Sequence, residues 1–136
     1  MNATKIVLSV ERTPCASLDG LLRSDNDKVL LPSSVTWEKI EVRQFASLAI
    51  AEKVEDKVHL FTSTLKFYTC EDFNDRGNYA YRLRMSNGIF LLLGTEARPF
   101  PVMTISESSP TSASENQWKE VSVTYTSSLT LPQIAW

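Results

Sequence analysis

YAYRLRMSNGIFLLLG, residues 79–94, decides the fold class. Two apolar-rich runs flank Asn87-Gly88. A type I′ turn needs positive φ at both central residues, which Asn and Gly tolerate best, so the pattern predicts an antiparallel hairpin. A two-residue turn sets the register: Met85 opposite Phe90, Leu83 opposite Leu92, and Tyr81 opposite Gly94. That face is assigned to the core, with the Tyr81 ring covering a residue that has no side chain. The other face pairs Ser86 with Ile89, Arg84 with Leu91 and Arg82 with Leu93. Three aliphatic residues interleaved with two arginines exceed what a solvated face needs. Either the arginine stems lie over the leucines, or something covers this face.

The segments around the hairpin read the same way. In residues 4–12 an alternation puts Ile6, Leu8 and Val10 on one face and Val7 and Ser9 on the other. Residues 57–70, KVHLFTSTLKFYTC, hold Ser63, Leu65 and Phe67 on one face and Thr62, Thr64 and Lys66 on the other. That run is long against a usual strand of about 5–6 residues, so it curls around a barrel or projects beyond the core. VEDK, residues 54–57, would turn it back on the preceding segment. Residues 35–53 favour a helix by propensity and two alternating runs by pattern. Strands are preferred, with a bend or bulge near Gln44 that moves Phe45 out of register. Val102 to Ser106 forms a short strand, and residues 118–127 alternate with Val121, Val123 and Tyr125 inward.

The expected fold is therefore all-β: an antiparallel sandwich or partly open barrel of about seven or eight strands with a long hairpin. The 136 residues make one domain. Residues 13–34, with Pro14, Asp19-Gly20, Asp25-Asn26-Asp27 and Pro32, are read as an irregular section. Residues 106–117, almost wholly polar, are read as a mobile loop, and residues 128–136 as an apolar tail.

Composition excludes several functions. The formal net charge is −2, from 14 basic and 16 acidic residues that are interspersed, so there is no basic patch for nucleic acid. No run approaches the ~20 apolar residues of a membrane span. The apolar part of the N-terminus, Ile6 to Val10, is shorter than the ~7–15 residues of a secretory signal. The protein is expected to be cytoplasmic when synthesised. Two cysteines, Cys15 and Cys70, are too few for a zinc site or a disulfide framework.

No catalytic residue, cofactor site or metal site is assigned. The single histidine, His59, sits mid-strand without a nucleophile motif. With 4 glycines there is no phosphate-cradling loop. Glu52, Glu55, Asp56, Glu71, Asp72 and Asp75 are read as solvated turns rather than a Ca²⁺ site. Phe73, Phe100 and Trp118 could line a loop-end cleft for a small ligand or peptide. The expectation is a non-enzymatic protein whose partners are proteins, as a homo-oligomer or with other subunits. Its candidate interface comprises Arg82, Arg84, Ile89, Leu91 and Leu93 on the second hairpin face, with Leu129, Leu131, Ile134 and Trp136 in the tail. On this reading Leu91→Asp impairs assembly more than folding.

A resemblance gives that expectation a setting. The order LKFYTCEDF (65–73), YAYRLRMSNGIFLLLGTEARPFPV (79–102) and EVSVTYTS (120–127), followed by a short LP-type tail, resembles small all-β proteins encoded in prophage-like gene clusters of gut Bacteroidales. It covers roughly the last two-thirds of the chain and includes the connection G-T-x-x-R-P-x-P-V. The resemblance implies a virion structural protein of the tail or head–tail junction type, with no catalytic residues.

Overall fold

The structure is a computed structural model, which describes residues 2–25, 28–32, 35–42, 46–69, 77–95, 99–106, 119–128 and 131–135. Among these, eleven strands and one 3-10 turn form a single open mixed sheet. The strands are β1 (Asn2–Pro14), β2 (Leu22–Asp25), β3 (Lys28–Leu30), β4 (Glu38–Ile40), β5 (Ala46–Glu55), β6 (Val58–Thr69), β7 (Tyr79–Met85), β8 (Phe90–Leu93), β9 (Val102–Ser106), β10 (Lys119–Ser127) and β11 (Gln133–Ala135). The fold is all-β, as the alternation predicts. The additional strands are short ones within the sections read as irregular or as tail.

Along the sheet the order is β2-β3-β11-β8-β7-β1-β5-β6-β10-β9, with β4 on β1. The long first strand organises it. One edge of β1 pairs with β5 from Asn2↔Ala51 to Val7↔Ala46 and with β4 from Val10↔Ile40 to Arg12↔Glu38. Its other edge pairs with β7, from Val7↔Met85 to Pro14↔Tyr79. A register shift between Val7 and Ser9 interrupts that ladder. This bulge corrects the alternation read from sequence: an extra residue turns the strand over, so Val7 and Val10 are both buried while Ile6 and Leu8 stay half exposed. Within residues 35–53 the described strands are β4 and most of β5, with 35–37 and 41–42 outside any strand. The expected bend at Gln44, with Phe45, lies outside the described residues.

The hairpin register is also corrected. Its loop has three residues, Ser86, Asn87 and Gly88. Met85 N–H donates to the Ile89 carbonyl (2.8 Å), and Gly88 N–H donates to the Met85 carbonyl (3.0 Å). Gly88 alone in this loop has positive φ, 86°, the left-handed residue that ends a three-residue loop. The Asn87 side chain accepts from Ile89 N–H at 3.1 Å. Tyr81 therefore pairs with Leu93, Leu83 with Leu91, and Arg84 with Phe90. A slip of one residue inverts every side chain of β8. The two-residue I′ turn lies instead at Asp56-Lys57, with φ of 51° and 66°, joining β5 to β6 at Glu55↔Val58.

The inversion explains both faces. Tyr81, Leu83, Met85, Leu91 and Leu93 belong to the main core with Val7, Val10, Leu48, Leu65, Phe67, Val121 and Val123. Ala80 and Leu92 belong to a second cluster on the reverse of the sheet, with Cys15, Leu18, Val29 and Ile134. Leu21, Leu31, Val35, Trp37, Phe90 and Phe100 pack against it. The reverse of the hairpin, which carries Ala80 and Leu92 in place of the expected Leu91 and Leu93, is covered by this chain's own Cys15, Leu18, Val29 and Ile134, while Arg84 stays exposed. The section read as irregular supplies that cover through a 3-10 turn at Cys15–Leu18 and then the β2–β3 hairpin. The tail is likewise part of the fold. β11 runs parallel to β3 and meets β8 at Gln133↔Leu91, and Leu92 N–H donates to the Pro132 carbonyl.

Candidate functional site

Two ends of the folded sheet carry the features that can meet a partner. At the first, β5 and β6 outrun their neighbours. The β1 ladder stops at Asn2↔Ala51, and the β10 ladder stops at Ser127↔Phe61. Beyond them residues 53–60 continue as a two-stranded arm that, among the described residues, is paired only to itself, from Lys53↔Leu60 to Glu55↔Val58. Each face of the arm carries one valine among charged residues: Val54 pairs with His59 on one and Val58 with Glu55 on the other. Val54 is 58% exposed and Val58 49%. Between these valines the surface is charged. Lys53 Nζ lies 3.7 Å from Glu55, and His59 Nδ1 lies 3.3 Å from Glu52. Both pairs are in water and contribute little stability.

At the foot of this arm the sheet opens. A hollow of about 450 Å³ lies between the start of β1 and the β7–β8 loop. Met85, Ile89 and Leu91 give it apolar walls, and Asn87, Gln133 and Lys5 line it as well. The hollow arises from the parity of β1: Lys5 shares the inward face with Val7 and Leu48 but lies past the end of the packed core.

The other end is closed by a cation. Arg12 is buried at the end of the core, its guanidinium 4.2 Å from the centre of the Tyr79 ring and its Nε donating to Glu38 at 3.3 Å. A smaller cavity of about 150 Å³ adjoins Arg12, Tyr79, Tyr81 and Met103. Burial pushes the Tyr81 phenol well above the ordinary tyrosine value, only partly opposed by the charge of Arg12.

The residues proposed from sequence as an interface divide differently. Leu91, Leu93 and Leu131 are buried in the main core and Ile134 in the second cluster. They are therefore packing residues of the folded chain, and the expectation that Leu91→Asp spares folding is overturned with them. Ile89 is half-buried against the main core. Arg82 donates to one Glu11 oxygen through Nε (2.9 Å) and Nη2 (2.7 Å) and lies over the Trp37 and Phe90 rings. Arg84 remains exposed. Leu129 and Trp136 lie outside the described residues, as do Cys70, Glu71, Asp72, Phe73, Asp75, Trp118 and all of the loop expected over 106–117 except Ser106, which ends β9. Phe100 packs against the second cluster.

Sequence reasoning passed over the arm and the hollow for identifiable reasons. The length of the 57–70 run signalled projection, but Val54 and Val58 carry no pattern distinct from a core strand. The hollow depends on the start of β1 meeting the three-residue loop, a non-local arrangement without a unique signature. Among the described residues no group of three or more His, Cys, Asp or Glu comes together. Among these residues, too, no helix is long and apolar enough to cross a membrane. No family model, curated protein or solved structure matches the chain significantly.

Proposed function

We propose that this chain is a non-enzymatic structural subunit of a phage-like particle, of the tail or head–tail connection, that works by protein–protein contact through the β5–β6 arm. The arm is the observation that carries the reading. A two-stranded ribbon with free edges is marginal by itself, and exposed strand edges are ordinarily shortened or covered. Here one is extended on strands rooted in the middle of the sheet, and its tip exposes a valine on each face. Such a ribbon gains stability when a neighbouring subunit covers it. The setting in a phage-like particle comes from the resemblance of residues 65–127.

The test is to remove residues 53–60 and join Glu52 to Phe61 through Asn-Gly. Light scattering across a concentration series should show self-association of the full chain and a monomer for the shortened one, with the thermal midpoint retained. A full chain that stays monomeric at millimolar concentration, or one whose association survives the deletion, would count against the proposal. The alternative, a binding module for a small ligand or peptide, is favoured by the hollow, whose volume falls in the ~300–1,000 Å³ range of ligand sites.

A further inference from the structure

The hollow and the arm lie at the same end of the molecule, yet they cannot meet within one chain. Lys5 stands opposite Leu48, and Asp56 at the tip, just past the end of β5, is eight positions farther along the chain. At ~3.3 Å per residue that is roughly 26 Å. The arm leads away from its own hollow.

The two nevertheless match in chemistry. The tip is a thin wedge, with Val54 on one face and Val58 on the other, so a flat surface can cover only one of them. A cleft covers both. The hollow is such a cleft, its walls formed by Met85, Ile89 and Leu91. Its single charged lining residue is Lys5, and the turn at the tip carries Asp56. Among the described residues neither is placed in an ion pair. Lys53 already offsets Glu55.

We infer that the hollow at the foot of the arm receives the arm tip of a second copy of this chain, with Val54 and Val58 between its apolar walls and Asp56 against Lys5. The inference rests on the assembly reading above. The contact joins two different patches of the subunit, so reciprocal exchange closes a dimer and one-way donation builds a ring or filament.

The experiment uses the full chain with Lys5→Glu, Asp56→Lys, and the two combined, measured by sedimentation velocity over a concentration series. Each single reversal should weaken self-association about tenfold or more, because it replaces an attraction by a repulsion, and the double variant should recover most of that loss. Both side chains are exposed, so the thermal midpoint should stay at the wild-type value for Lys5→Glu and fall only slightly for Asp56→Lys, which puts a lysine at positive φ. Unchanged association in the single variants, or losses that add in the double variant, would overturn the pairing. If the shortened arm abolishes association while the charge reversals do nothing, the arm has another receptor and only this inference fails. If the shortened arm also has no effect, the assembly reading fails with it.

Discussion

Leu91 and Leu92 are neighbours in sequence that point to opposite sides of the sheet, and both are buried, one in each apolar cluster. Truncating either to alanine should therefore be costly. Removing a buried leucine side chain typically destabilises by about 2–5 kcal/mol, through lost transfer energy and the cavity left behind. Leu92 is wholly enclosed, and Leu91 retains 9% of its surface, so about 3 kcal/mol or more is expected for Leu92 and slightly less for Leu91. With a urea slope of about 1–3 kcal/mol per molar, each midpoint should fall by roughly 1–3 M. Leu8→Ala is the control: at 47% exposure, half-burial predicts a cost nearer about 1 kcal/mol. Equilibrium urea unfolding followed by tryptophan fluorescence measures all three. If Leu92→Ala matched the wild type while Leu91→Ala did not, the reverse of the hairpin would be a solvent face and the cover by segment 15–37 would be wrong.

Other outcomes follow from single sites. Gly94 has φ of +109°, and a Cβ there would lie 2.8 Å from Pro101 Cγ and 3.3 Å from Ala80 Cα; Gly94→Ala should cost about 2–4 kcal/mol in a thermal melt, whereas Gly88→Ala, with open space around it, should cost only the ~1 kcal/mol of left-handed strain. Glu11→Ala removes both bonds to a half-buried Arg82 and should cost about 1.5–3 kcal/mol by chemical denaturation. Glu38→Ala removes a mostly exposed partner of Arg12 and should cost below about 1 kcal/mol. Tyr81 predicts alkaline instability. Its folded pKa lies above the unfolded value of about 10, so the folded state holds the proton longer, and stability declines as pH rises past that value. Tyr81→Phe should flatten the fall in thermal midpoint above about pH 10, and an equal slope in both proteins would refute the assignment.

Much of the fold was legible because the sheet residues alternate. β10 reads correctly residue by residue, with Val121, Val123 and Tyr125 inward, and β6 places Ser63, Leu65 and Phe67 as expected. β8 could not be read this way. Phe90, Leu91, Leu92 and Leu93 are all apolar, since both faces of that strand are buried, so the pattern contains no face information and register rests wholly on loop length. Ser86-Asn87-Gly88 suits a three-residue loop as well as Asn87-Gly88 suits a two-residue one. The actual I′ turn is hidden for the opposite reason: Asp56 and Lys57 adopt positive φ without a glycine, at a cost the sequence does not advertise. β11 is three residues long and pairs in parallel with β3, a non-local arrangement with no local code. The candidate site shared these fates, because the hollow is lined by that loop, by the start of β1 and by Gln133 of β11.

The arm has a mechanical consequence. Its two strands do not end at the body but run on through it, β5 alongside β1 and β6 alongside β10 from Phe61 to Thr69. A tug on the tip along the strand axis would therefore load those ladders lengthwise, so that their hydrogen bonds must yield together rather than one after another. Hung from a loop, the same ribbon would peel away pair by pair. Were a partner to hold this arm, tension would pass directly into the middle of the sheet, and resistance to being pulled out would be set by the unfolding rate of the whole body instead of the local stability of the ribbon.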